Sequence, residues 1–153
     1  MSNILENLKI RGDLNIKLYD GQGNIKEDVD HTNLVVSAGI AFILSRMGGT
    51  SKGVMSHMAL GSGTTAAAAG QTDLVTILGS RVVLDSSTPG ATTFTYVTTF
   101  GAGVATGAVT EAGIFNNATS GSGDMLCRTV FPVVNKQAAD TMVITWTITL
   151  TAS

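Results

Sequence analysis

The clearest pattern in the chain is a strict alternation near its end. Over 142–151 the side chains of Met142, Ile144, Trp146, Ile148 and Leu150 fall on one face of an extended strand, and Val143, Thr145, Thr147, Thr149 and Thr151 fall on the other. At about 3.3 Å per residue such a strand spans roughly 30 Å, long enough to belong to a sheet larger than one hairpin. A looser alternation through Leu14, Ile16 and Leu18 over 8–19, the break Asp20-Gly-Gln-Gly-Asn24 and a second run over 25–29 predict a β-hairpin. The segment 37–47 is the one predicted helix, with Ser37 as its N-cap, Arg46 in its last turn and Gly48-Gly49 as its stop. Because its residues are mostly apolar, it is expected to be buried against a sheet.

Further strands are predicted over 56–61, 76–85, 92–100, 108–115 and 125–130, separated by turns at 86–90, 116–124 and 135–140 and by a connector at 101–107. The Gly- and Ala-rich stretch 61–70 reads as a loop or a single helical turn. Short strands at this spacing predict a mainly β protein, an antiparallel β-sandwich or barrel-like sheet with one short buried helix, in a single β-rich domain over 1–153. Residues 1–10 form either an extended N-terminal arm that reaches a neighbouring subunit or a strand of the protein's own sheet.

Composition turns this picture toward assembly. Charged residues make up 13% of the chain, about half the usual share, and mean hydropathy is positive at +0.31. A lone subunit would therefore have a weakly charged surface, so the expectation is an oligomer. A net charge of −2 argues against nucleic acid, whose binding needs clustered Lys and Arg. No apolar run approaches the ~18 residues of a spanning helix. The opening Met-Ser-Asn-Ile-Leu-Glu lacks the basic start and apolar core of a secretory leader, so synthesis and retention in a cytoplasm are expected and no membrane partner is. Cys127 is the single cysteine, which excludes an internal disulfide, and its neighbours Met125, Leu126 and Val130 suit a small buried apolar residue.

Candidate chemistry is sparse. Gly49-Thr-Ser-Lys-Gly53 matches the literal nucleophile-elbow pattern, but a helix precedes it and no Asp or Glu lies between Ser51 and His57, so it reads as a helix-terminating loop. Two histidines, His31 and His57, with one cysteine are too few for a typical structural zinc site. Glu27, Asp28 and Asp30 lack the spacing and Gly of a calcium loop and read as a solvated strand end. The Thr row of the last strand is echoed only by Thr93 and Thr95, short of an ice-binding ladder, and reads as ordinary strand-forming residues. Glu111 stands apart, since it places a carboxylate inside the otherwise apolar run 108–115. A buried carboxylate requires a partner, and Arg81 or Arg128 is the candidate for a structural ion pair. No catalytic residue, metal site or cofactor is expected.

Four segments in order, Met58-Ala-Leu-Gly-Ser-Gly-Thr64, Thr110-Glu-Ala-Gly-Ile-Phe-Asn116, Met125-Leu-Cys-Arg-Thr-Val-Phe131 and Asp140-Thr-Met-Val-Ile-Thr-Trp-Thr-Ile148, resemble a family of small bacteriophage virion proteins. The openings Leu14-Asn-Ile-Lys-Leu-Tyr-Asp-Gly21 and Asn33-Leu-Val-Val-Ser-Ala-Gly39 are similar to those of the same family, so the resemblance covers most of the chain. It implies a non-enzymatic structural protein of the virion. The first expectation is a capsid cement or decoration protein that stabilises the shell as a homotrimer, with itself and the major capsid protein as partners. The alternative is a tail component such as a short fibre, baseplate or adaptor protein, with tail proteins as partners. A carbohydrate-binding module is less favoured, because aromatic content is only 5% and the rings mostly occupy core-like positions.

Overall fold

In a computed structural model that describes residues 7–49 and 52–152, the chain runs β1 (Leu8–Tyr19), β2 (Ile25–Val35), α1 (Ser37–Met47), β3 (His57–Gly61), β4 (Ile77–Val83), β5 (Ser86–Pro89), β6 (Thr93–Phe100), β7 (Gly107–Phe115), β8 (Met125–Lys136) and β9 (Thr141–Ala152). All ladders are antiparallel, in the order β4-β3-β7-β8-β2-β1-β9-β6-β5. The protein is mainly β, one antiparallel sheet curled into a half-barrel with a single short helix.

The curl follows from the connections. β4 and β5 are the two edges of the sheet, yet they are consecutive in the chain and only Leu84 and Asp85 separate them. Three peptide steps reach at most about 11 Å, so the two edges must be brought close together. The linker is fastened on both sides, since the Leu84 N–H donates to Ser56 O (2.9 Å) and the Asp85 N–H to Val97 O (2.7 Å). The bend opposite lies in β2. Its early part pairs with β1, whereas Leu34 and Val35 pair with Arg128 and Cys127 of β8.

The alternation at the end of the chain has a positional cause. β9 is interior, with β1 on one side and β6 on the other, and its inner residues stand in rows: Leu14–Trp146–Tyr96, Ile16–Ile144–Thr98 and Leu18–Met142–Phe100. Met142, Ile144, Trp146 and Ile148 are buried in the main core, and Leu150 packs half-buried at its margin. Both edges of β9 are paired, so it offers neighbours no open ladder. Leu8–Ile10 of the proposed N-terminal arm belong to β1, opposite Ala152, Thr151 and Leu150, and the remainder of that arm, 1–6, lies outside the described residues.

Other expectations are corrected in detail. The helix has the predicted span, but only Gly39 and Phe42 are buried, while Ile40, Leu44 and Met47 are exposed. Its N-cap is Val36, with no side-chain cap bond; the Ser37 N–H is instead satisfied by Ala69 O at 2.8 Å. The helix approaches so closely that a Cβ at Gly39 would collide with the Leu126 carbonyl of β8. Residues 86–89, expected as a turn, form the edge strand β5, where Pro89 is tolerated because an edge position does not require every N–H. β8 continues to Lys136, past the expected end at 130. The stretch 62–70 contains no helix.

Candidate functional site

The most extensive cluster of buried polar groups lies on the outer face of β3, β7 and β8. Val109 through Phe115 are all buried, which means that β7 is covered on both faces. Ala112 and Ile114 enter the main core, while Phe115 joins Val36, Ala59 and Met125 in a second cluster on the other side. Glu111 lies on this second side, beneath the loop that connects β3 to β4.

Glu111 is fully buried and accepts five hydrogen bonds. Oε1 receives the Gly63 N–H (3.0 Å) and the Thr76 N–H (2.8 Å); Oε2 receives the Val75 N–H (3.1 Å) and both Nε (2.9 Å) and Nη2 (2.7 Å) of Arg128. Arg128 Nη1 continues to Thr65 O and Gln71 Oε1, each at 2.9 Å, and Thr110 Oγ1 donates to Gly63 O at 2.8 Å. A Cβ at Gly61 or Gly63 would run into Glu111 Oε1, which is why this turn is Gly-Ser-Gly. The arrangement converts a loop of small residues, unable to bury a core of its own, into a fixed cover tied by backbone N–H groups to one carboxylate.

Of the two candidate arginines, Arg128 is the partner of Glu111 and Arg81 is not. Arg81 forms a second node, with Nη1 donating to Asn117 O and Ser122 O (2.8 Å each), Nη2 lying 3.3 Å from Asp73 Oδ1 and the guanidinium stacked 3.6 Å over the Phe115 ring. Asp73 Oδ2 also accepts the Gly121 N–H at 2.7 Å. The 116–124 turn and the loop before β4 are thus clasped to each other.

Asn33 is a residue that sequence reasoning missed. Its Oδ1 accepts the Trp146 indole N–H at 2.7 Å, and its side chain occupies the space left by Gly12 on the paired strand, where any Cβ would collide with it. A buried Trp needs such a partner. At one end of the barrel Asp140 accepts from Lys26 Nζ (2.7 Å) and the Gln137 N–H (2.9 Å), while the buried Lys136 donates to Gly101 O (2.8 Å). Burial pulls the Lys136 ammonium below the usual lysine range, opposed by the charge of Asp140.

The remaining sequence candidates have structural settings. Asn15 Nδ2 bridges Asp28 Oδ1 (2.8 Å) and Asp30 Oδ1 (2.9 Å), and Thr147 bonds Thr95 across strands at 3.3 Å. Cys127 is buried, and burial pushes its thiol well above the usual range. Thr50 and Ser51 of the Gly49–Gly53 pattern lie outside the described residues. Among the described residues no group of three or more His, Cys, Asp or Glu is placed to hold a metal ion, and no helix is long and apolar enough to cross a membrane. No protein-family model, curated protein or solved structure matches the chain.

Proposed function

We propose that the protein is a non-enzymatic structural component of a bacteriophage virion, a cement protein that decorates the capsid as a homotrimer. The observation that carries this reading is the pairing of a braced, sparsely charged β body with an unburied apolar flank: Ile40, Leu44 and Met47 of α1, together with Val54, stand exposed. Contiguous exposed apolar surface is expected at assembly interfaces. Subunit contact would run through such side chains rather than through exchange of the last strand, because β9 is internal and the β5 edge is short and closed by Pro89.

The family resemblance supports the reading through residues that meet in space. Gly61 and Gly63 of the first motif, Glu111 and Phe115 of the second and Arg128 of the third build one node with its adjoining stack. In a decoration protein, loops fixed in this way would present a constant backbone shape to the shell, and many modest contacts would add through multivalency. The sugar-binding alternative is disfavoured by ring placement, since Phe100, Phe115, Phe131 and Trp146 are buried. The experiment is quantification of this chain against the major capsid protein in purified virions. Near-equal abundance is the expected result; a handful of copies per particle would move the protein to the tail, and absence would overturn the virion reading.

A further inference from the structure

A groove of about 410 Å³ opens between α1 and the sheet, within the size range of small-molecule sites. Its walls are Phe42 and Ile43 from the helix, Phe94 and Tyr96 from β6, and Ile148 and Leu150 from β9. Phe94 and Tyr96 stack at 4.9 Å, forming a continuous aromatic wall. The polar residues in its lining are few: Tyr96, Ser87 and Arg46, the one charged residue among them. Burial pushes the Tyr96 phenol up to about 12, so it stays neutral at physiological pH.

Arg46 differs from the other arginines in its pairing. Arg11 pairs with Asp13, Arg81 with Asp73 and Arg128 with Glu111. Among the described residues no carboxylate pairs with Arg46. Its Nη1 donates to Lys52 O at 2.8 Å, which anchors the guanidinium by one edge and leaves other donors for a ligand. A cation at the rim of an apolar trough complements a molecule with the opposite layout, an apolar chain ending in an anion. A polypeptide strand fits less well, because its backbone N–H and C=O groups would meet apolar side chains beside a Pro-closed edge and remain unpaired. A neutral hydrocarbon would leave the guanidinium without its complement.

We propose that this groove binds an amphiphilic monocarboxylate, with the aliphatic chain lying between α1 and the β6–β9 face and the carboxylate on Arg46. The site is separate from the Glu111 node and does not depend on the virion reading. The test is titration of the full-length protein with sodium decanoate below its micelle concentration, followed by calorimetry and by methyl NMR of Ile43, Ile148 and Leu150. Saturable binding at one site per chain is expected, with those methyls shifting. Octanoate should bind roughly tenfold more weakly, since two buried methylenes are lost. Arg46→Gln should preserve the fold, since it removes only one exposed hydrogen bond, to Lys52 O, and should remove the preference for decanoate over decanol. Absence of saturable decanoate binding would overturn the proposal, as would equal affinity for decanol or undiminished decanoate affinity in Arg46→Gln. Saturable binding that shifts methyls elsewhere and spares these three would also overturn it.

Discussion

Glu111 and Arg128 meet at 2.7 Å with neither side chain exposed, and the same carboxylate holds the N–H groups of Gly63, Val75 and Thr76. One ion pair therefore fastens both ends of the loop between β3 and β4. Removing the charge of one partner strands the other in the core, which typically costs about 3–5 kcal/mol. Glu111→Gln is expected to lower stability by this order in urea denaturation and to speed proteolysis within 62–76. A wild-type denaturation midpoint would refute the structural role.

Trp146 fills the centre of the main core and Asn33 receives its N–H. Trp146→Ala should cost about 3–5 kcal/mol through the cavity and lost burial. Asn33→Ala, which leaves the indole donor without a partner, should cost about 1–3 kcal/mol. Thermal melts of the two variants separate the packing contribution from the hydrogen bond.

Two glycines that look alike in sequence should respond oppositely to Ala. A Cβ at Gly63 would lie 2.6 Å from Glu111 Oε1, whereas a Cβ at Gly101 meets nothing within 4 Å. Gly63→Ala is expected to destabilise by about 1–3 kcal/mol through overpacking. Gly101→Ala should be neutral or stabilising by up to about 1 kcal/mol, because it restricts the unfolded chain. Equal melting temperatures for the two variants would contradict the close approach at Gly63.

Acid should loosen the end of the barrel held by Asp140. The hydrogen bond from Lys26, followed by that from the Gln137 N–H, holds this carboxyl below its ordinary 3.8, and the backbone bond from Asn24 does the same for Asp20. As pH falls, the unfolded chain takes up these protons before the folded one does. The stabilisation is therefore complete above the ordinary carboxyl range and is lost as pH drops through the lower folded values. Melting temperature measured from about pH 6 down to about pH 2 should fall, and Asp140→Asn should flatten part of that fall. A pH profile of Asp140→Asn that superimposes on wild type would remove Asp140 from the account.

The exposed residues of α1 give the proposed trimer a direct test. Leu44→Glu and Met47→Glu change residues that are 59% and 80% exposed, so the fold should persist. Native mass spectrometry is expected to show trimer for the wild-type chain and monomer for the double variant. A trimer that survives both substitutions would shift the interface away from α1.

The ease of reading each element followed from how local its determinants are. β9 was legible because its inner face meets the core and its outer face does not, which leaves a two-residue period in the sequence. The helix boundaries were legible from Gly48-Gly49, but its exposure was not, since the same apolar residues suit a core and an uncovered flank. β5 was hidden because Ser-Ser-Thr-Pro-Gly has turn chemistry and becomes a strand only through its pairing with β6. Glu111 announced a need for a cation, yet choosing Arg128 over Arg81 required the strand order that sets β8 beside β7 and leaves β4 beyond β3. Asn33 left no local mark, because its space is created by the missing side chain of Gly12 on another strand.

The two-residue passage from Val83 to Ser86 also bears on how the molecule deforms. Flattening the sheet would break the bonds that hold Leu84 to Ser56 and Asp85 to Val97, so this short passage keeps both margins at one curvature. The two outermost strands are thereby yoked, so a deformation that opens one margin is carried at once to the other.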